Sequence, residues 1–266
     1  MYIPSLSPYI FSIGPLHIHY YSVFMIISIL IGFYLISRQR ERIGASQVVL
    51  ENATLWAVVG GIIGARLVFV AANNAGWFIH DPMQILRIWQ GGLAWHGAVG
   101  GGLLASWLYL RNRNVNFSRF MDGVVPGVAV GIILVRVGNI FNHEVLGHTA
   151  AILGGARWPV QPIGSAIGIF LLLHFYWYLR KDPPAGAQFW SFLFYYSLLR
   201  GLIEETLRAD PTLFIHWSDP TLGIAVTTVL QVWTPFILVA SWLIWRFAVK
   251  GGFERRHESG EITEGT

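Results

Sequence analysis

The chain has 266 residues, of which 54% are apolar and only 12% charged, with a mean hydropathy of +0.53 and a formal charge of +4. Soluble domains carry about twice that charged fraction, so disordered, collagenous and coiled-coil chains are excluded, and the apolar residues are to be sought in membrane-length runs. Cysteine is absent, which rules out a disulfide frame, a thiolate zinc site and a cysteine nucleophile; any thiol chemistry must use a thiol carried by a partner.

A helix crossing a hydrocarbon core of about 30 Å needs roughly 20 mostly apolar residues. Runs of that kind fall near 17–36, 53–72, 92–110, 121–142, 162–179, 187–207 and 222–246. They predict an all-α integral membrane protein with seven transmembrane helices in one polytopic domain, 1–250, followed by a polar cytoplasmic tail, 251–266. The first run is expected to remain as an anchor, because no basic residue precedes it and Arg38 follows it. Basic residues set the direction. The segments after the first, third, fifth and seventh runs contain Arg38, Arg40, Arg42, Arg111, Arg113, Arg119, Arg180, Lys181, Arg246, Lys250, Arg255 and Arg256, against only Arg87, Arg157 and Arg208 on the other side. The positive-inside rule therefore places the N-terminus outside and the C-terminus in the cytoplasm. Trp77, Trp89, Trp158 and Trp217 near outer span ends, and Trp107 and Trp245 near inner ones, fit interfacial anchors. Pro183-Pro184 reads as a connector in a short inner loop.

No internal repeat is visible, which counts against transporters built from repeated halves. Small residues four apart, Gly60/Gly64, Gly97/Gly101 and Gly123/Gly127/Gly131, predict close helix–helix packing in lipid.

Arg66, Arg136 and Arg200 lie inside predicted spans. A charge deep in a membrane helix costs about 2.5–3.5 kcal/mol on insertion scales, so each needs a partner or an aqueous cavity. With the direction above, these arginines, together with His19, Tyr21 and His96, all fall at the outer-leaflet level. A cavity open to the outer half of the bilayer is the economical reading. Offsets of three place Arg136, Asn139 and Asn142 on one helix face, and offsets of four align Arg200, Glu204 and Arg208, so that Glu204 is positioned to hold either arginine. Each stripe has a plainer reading, an ion-pair network that only locks helices together. His96, flanked by glycine at Gly97, has a structural reading too; the three arginines at the same depth favour proton transfer. His143 and His148 are five residues apart, and so diverge on a helix; no metal site is expected. Neither a G-x-S-x-G elbow nor a P-loop is present.

Four segments resemble the prolipoprotein diacylglyceryl transferase family: Ile13-Gly-Pro-Leu-His-Ile-His19-Tyr-Tyr21; Gly64-Ala-Arg66; Trp89-Gln-Gly-Gly-Leu-Ala-Trp-His96-Gly; and Arg136-Val-Gly-Asn139-Ile-Phe-Asn142-His-Glu144-Val-Leu-Gly147. The Arg200 to Glu204 stretch fits as well. The resemblance implies transfer of the diacylglyceryl group of phosphatidylglycerol to the thiol of a lipobox cysteine in a prolipoprotein signal peptide, with release of glycerol phosphate. This is the first step of bacterial lipoprotein maturation. It implies catalytic roles for His96, Tyr21, Arg136 and Arg200, and substrate-binding roles for Arg136, Asn139, Asn142, Glu144, Gly147, Arg66 and Glu204. Arg66 is expected to act as a supporting partner more than as a direct phosphate ligand. The implied setting is the bacterial cytoplasmic (inner) membrane, multi-pass, with the site toward the outer leaflet. Phosphatidylglycerol, prolipoprotein signal peptides and membrane lipids are the implied partners, with no nucleic acid and no cofactor. Two departures from the family pattern stand out: Val160-Gln161-Pro162-Ile163-Gly164-Ser165-Ala166 replaces a His-Pro-Ser-Gln-Leu-Tyr-Glu-like run, and the segment from Glu144 to Pro162 is short. They leave open altered recognition of the protein substrate, a paralogue with a different acceptor, and an inactive lipid- or lipoprotein-binding paralogue; a transporter or flippase of an anionic lipid, which would use the same arginines without covalent chemistry, is the alternative of a different class.

Overall fold

A computed structural model describes residues 7–13, 16–72, 81–88, 92–209 and 212–254. Trp77 and Trp89 lie outside the described residues, as do Gly14, Pro15 and the tail from Arg255 onward. The described residues of Met1–Ile36 and Met121–Thr266 form one compact unit, and those of Ser37–Phe120 another.

The first unit opens with an antiparallel hairpin, β1 (Tyr9–Ile13) and β2 (Leu16–His19), that leads directly into α1 (Tyr20–Ser37). After α5 (Phe117–Phe141) come α6 (Val160–Leu179) and α7 (Ala187–Leu199). The chain then makes a five-residue π turn, Arg200–Glu204, and a closing turn, Glu205–Leu207. A second hairpin, β3 (Thr212–Asp219) and β4 (Ile224–Thr228), leads into α8 (Val229–Val249). The core of this unit is Val125 and Ala129 of α5 against Ile167, Leu171 and Phe175 of α6 and Phe192 of α7. Asp122, fully buried near the start of α5, accepts 2.8 Å hydrogen bonds from the amides of Gly186 and Phe189, two of the donors that the first turn of α7 cannot satisfy itself.

The second unit contains a short α2 (Arg40–Ile43) and two long helices, α3 (Gln47–Ala72) and α4 (Trp95–Leu110). Glycines form the seam between α3 and α4. A Cβ on Gly97 would strike the carbonyl oxygen of Gly64, and one on Gly101 the carbonyl oxygen of Gly60. This close approach is what the four-residue spacing predicts, and Gly127 meets Gly32 of α1 in the same way.

Among the described residues, five helices, α1, α3, α5, α6 and α8, are long and apolar enough to cross a membrane. Leu30, Leu67, Leu173 and Phe236, on four of them, are 60–65% exposed, a surface that hydrocarbon accommodates and water does not. The chain is a helical membrane protein. The sixteen residues of α4 and the thirteen of α7 fall short of that length, although the helical run of α7 continues through its π turn to Leu207.

Two differences from the sequence expectation have clear causes. The protein is not wholly helical, and α8 begins at Val229 where the apolar run starts at 222. Ile224-Ala-Val-Thr-Thr228 is mostly β-branched and pairs as a strand, and an apolar run alone cannot distinguish such a strand from the entry of a span. Trp245 donates from Nε1 to the Tyr178 hydroxyl at 3.3 Å and packs on Phe194 and Tyr195. Trp177 and Trp242, the latter beneath the Arg246 guanidinium, are exposed.

Candidate functional site

The site in the first unit is built where α5 and α7 end. Arg136, five residues before the end of α5, pairs through Nη2 with Glu204 Oε1. Arg200 opens the π turn and pairs through Nη1 with Glu205 Oε2, and the same nitrogen lies 3.6 Å from Glu204 Oε1. Glu204 and Glu205 are 1% and 3% exposed, and the two arginine side chains 12% each. Two guanidinium groups and two carboxylates are thus held together among apolar helices, an arrangement that offsets the desolvation of each charge by its neighbours. Tyr196, one turn before Arg200, hydrogen-bonds its side chain, and Arg208 adds a third positive charge acting on Glu204.

Glu204 does hold an arginine, but its closest partner is Arg136 on another helix, and Arg200 is gripped by Glu205. Sequence reasoning missed Glu205 because it assumed α-helical spacing, in which residue i+5 faces away. Glu204-Glu205 as a doublet of acids beside an intramembrane arginine was the available signal.

Around this core the other expected residues are placed as follows. Asn139 is buried on α5 three residues after Arg136. Asn142 comes just after the helix and has its amide bonded to Gly138 O at 3.2 Å and a buried side-chain oxygen, Oδ1, without a hydrogen-bond partner among the described residues. Arg136 Nε is buried and unpartnered in the same sense, and Gly164 of α6 faces it, since a Cβ there would come within 2.5 Å of that nitrogen. Tyr21, in the first turn of α1, packs over Gly138 and is acted on electrostatically by both Glu144 and Arg136.

Beyond Phe141 the chain leaves the helix at once. His143 and Val145 take positive φ angles of 54° and 58°, a conformation that a β-branched residue adopts only under strong local constraint. The constraint is visible: His148 N donates to Leu207 O and Ala209 N to Leu146 O, both at 2.9 Å, so the segment after α5 is tied to the segment after α7. Gly147 sits at that bridge with the Trp158 carbonyl where a side chain would be, and its own carbonyl accepts from Arg157 at 2.9 Å. His143 and His148 therefore do not share a helix at all.

The departing run at 160–166 is part of this construction. Gln161 Nε2 donates to the Glu144 carbonyl at 2.9 Å, and Ser165 Oγ to Ile133 O at 3.3 Å.

His96 and Arg66 belong to the other unit. His96 is exposed in the first turn of α4. Arg66 is 8% exposed and spends its donors on backbone: Nε on Ile85 O at 2.9 Å, Nη1 on Gly92 O at 3.0 Å and Nη2 on Gln84 O. It is a strut for the segment between α3 and α4.

These features define a class, helical membrane proteins with a paired cluster of buried arginines and carboxylates at the ends of two helices. Similarity to known proteins narrows it. The family model of prolipoprotein diacylglyceryl transferase matches residues 8–246. The phosphatidylglycerol–prolipoprotein diacylglyceryl transferase of Thermoanaerobacter sp. strain X514 is 49% identical over 247 residues, covering 92% of this chain and 96% of that protein. That of Thermus thermophilus is 33% identical over 279 residues, covering 92% and 99%. The chain belongs to the prolipoprotein diacylglyceryl transferase family. Since the Thermoanaerobacter match runs through nearly all of both chains, the two are of similar length.

Proposed function

We propose that this protein transfers the diacylglyceryl group of phosphatidylglycerol to the thiol of a lipobox cysteine in a prolipoprotein signal peptide. The observation that carries the proposal is the Arg136–Glu204 and Arg200–Glu205 cluster, held within a chain of this family. The reaction forms a carbon–sulfur bond at the glyceryl carbon as its bond to the phosphate oxygen breaks. Glycerol phosphate leaves, and the thiol proton passes to a base. Such a displacement needs a thiolate and a stabilised anionic leaving group.

Arginine suits the second task because its guanidinium has five donors, remains charged in a dry site and meets phosphate bidentately. The ion pairs use one terminal nitrogen of each guanidinium, Nη2 of Arg136 and Nη1 of Arg200, and leave other N–H groups for the lipid phosphate. His96 serves as general base. Tyr21, Asn139, Asn142, Glu144 and Gly147 position the reacting groups, and the tie between 146–148 and 207–209 holds their loop. The test is direct: purified protein, labelled phosphatidylglycerol and a lipobox peptide should give a mass gain on the peptide cysteine. Lipid binding without that gain would identify a binding paralogue, and lipid movement across a bilayer without it a flippase.

The proposed setting is the bacterial inner membrane, crossed seven times by a single domain, residues 1–250, with the site toward the outer leaflet. It rests on the twelve basic residues that follow odd-numbered spans against three on the other side. A reporter active only in the periplasm is expected to work when fused after Trp77, and to fail after Arg113 or at the C-terminus. The reverse pattern sinks the outer-leaflet site.

A further inference from the structure

The helical run that carries Arg200 is not regular. The amide of Glu205 donates to the carbonyl of Arg200, closing an i to i+5 turn. In an α-helix residue i+4 returns to about 40° from residue i, whereas residue i+5 lies about 140° away on the opposite face. The π turn brings Glu205 back over Arg200, and its Oε2 pairs with Arg200 Nη1. Its side chain is 3% exposed. Gly201 inside the turn lies against Thr234 of α8, where a Cβ would come within 3 Å of the Thr234 side chain, so the irregular turn is seated against a neighbouring helix. Gln231 Nε2 donates to Thr206 Oγ1 at 2.9 Å and fixes the segment just beyond it.

The charge arrangement explains why the turn matters. Two buried arginines need two buried carboxylates, and with regular spacing Glu204 alone would face Arg200 while also serving Arg136. The π turn gives Arg200 a second acid, Glu205, beside Glu204, whose Oε1 pairs with Arg136 and lies 3.6 Å from Arg200 Nη1. π-Bulges occur mostly as single turns within α-helices and frequently at functional sites.

We propose that Glu205 is the positioning residue for Arg200 in the transfer reaction, a role that rests on the function proposed above. Its carboxylate takes one guanidinium nitrogen and so orients the remaining donors of Arg200 toward the phosphate of phosphatidylglycerol. Glu204 does the same for Arg136.

The experiment compares Glu205→Gln and Glu205→Asp with the unaltered protein, reading folded yield, thermal midpoint, phosphatidylglycerol affinity in lipid nanodiscs, and KM and kcat for transfer. A side-chain coupling of this kind corresponds to a change of about tenfold. Glu205→Gln should raise the KM for phosphatidylglycerol and weaken its binding by about that factor, with a thermal midpoint near that of the unaltered protein. Glu205→Asp, which keeps the charge on a shorter arm, should recover part of the loss. In an Arg200→Gln background the Glu205→Gln change should no longer affect lipid binding. Folded Glu205→Gln with unchanged affinity and KM overturns the role, as does failure of both variants to fold, which a packing residue would produce. If only Glu205→Gln fails to fold, the KM of Glu205→Asp decides between the same two outcomes. An unaltered protein that neither binds phosphatidylglycerol nor transfers from it removes the proposed function, and the role of Glu205 with it.

Discussion

Arg136→Lys is expected to lose most of the transfer activity, about a hundredfold or more, while Arg66→Lys keeps a substantial part of it. Arg136 pairs with Glu204 through one terminal nitrogen, and its buried Nε has no hydrogen-bond partner among the described residues; in the proposed reaction its planar fork spans Glu204 on one side and the lipid phosphate on the other. A lysine is a point charge that cannot span both. Hydrogen bonds to charged groups contribute about 1.5–3 kcal/mol each, and loss of the geometry at one bidentate contact therefore corresponds to roughly two powers of ten in rate. Arg66 donates to three backbone carbonyls, those of Ile85, Gly92 and Gln84. A lysine there can retain one or two of them and loosen the segment without removing a phosphate ligand. The check is transfer rate per folded protein under saturating peptide. Equal activity in the two variants would contradict both assignments.

His96→Asn is expected to show its largest defect at neutral pH and to recover relative to the unaltered enzyme between pH 7 and 9. A free cysteine has a pKa of about 8.5, so at pH 7 only a few per cent of the incoming thiol is thiolate and a base is needed. As pH rises the substrate ionises by itself and the advantage of the base shrinks. General-base contributions are typically about 10²–10⁴-fold, so the neutral-pH defect is large. His96 is exposed in the first turn of α4, where asparagine preserves size and polarity. A flat ratio of mutant to unaltered rate across that range, with folding intact, would remove His96 as the base and turn attention to Glu144 or Tyr21.

Much of the frame was legible because membrane physics is severe on composition. Long apolar runs, glycines at four-residue spacing and three isolated intramembrane arginines each have few physical explanations. The seam of Gly60, Gly64, Gly97 and Gly101 and the charged cluster at Arg136 and Arg200 follow from those signals. What escaped was whatever departs from a regular period. The π turn at Arg200–Glu204 shifts the pairing by one residue, and no hydropathy or i+4 rule anticipates it. The β-hairpin before α8 is apolar enough to pass as the start of a span. Asp122 carries no local signal, since it is the single acid near the start of its helix and the amides that it accepts from lie sixty-odd residues away.

That last contact bears on how the chain is made. The amides of Gly186 and Phe189 have their acceptor on α5, and the neighbouring amide of Ala185 has its acceptor, Glu254 Oε1, beyond α8. Away from water an unmet amide is costly. Synthesis proceeds from Asp122 toward Glu254, so α7 finds its first-turn acceptor already in place when it leaves the ribosome. The amide of Ala185 waits until Glu254 has been made. The connector between α6 and α7 is thus closed from two sides at two different times.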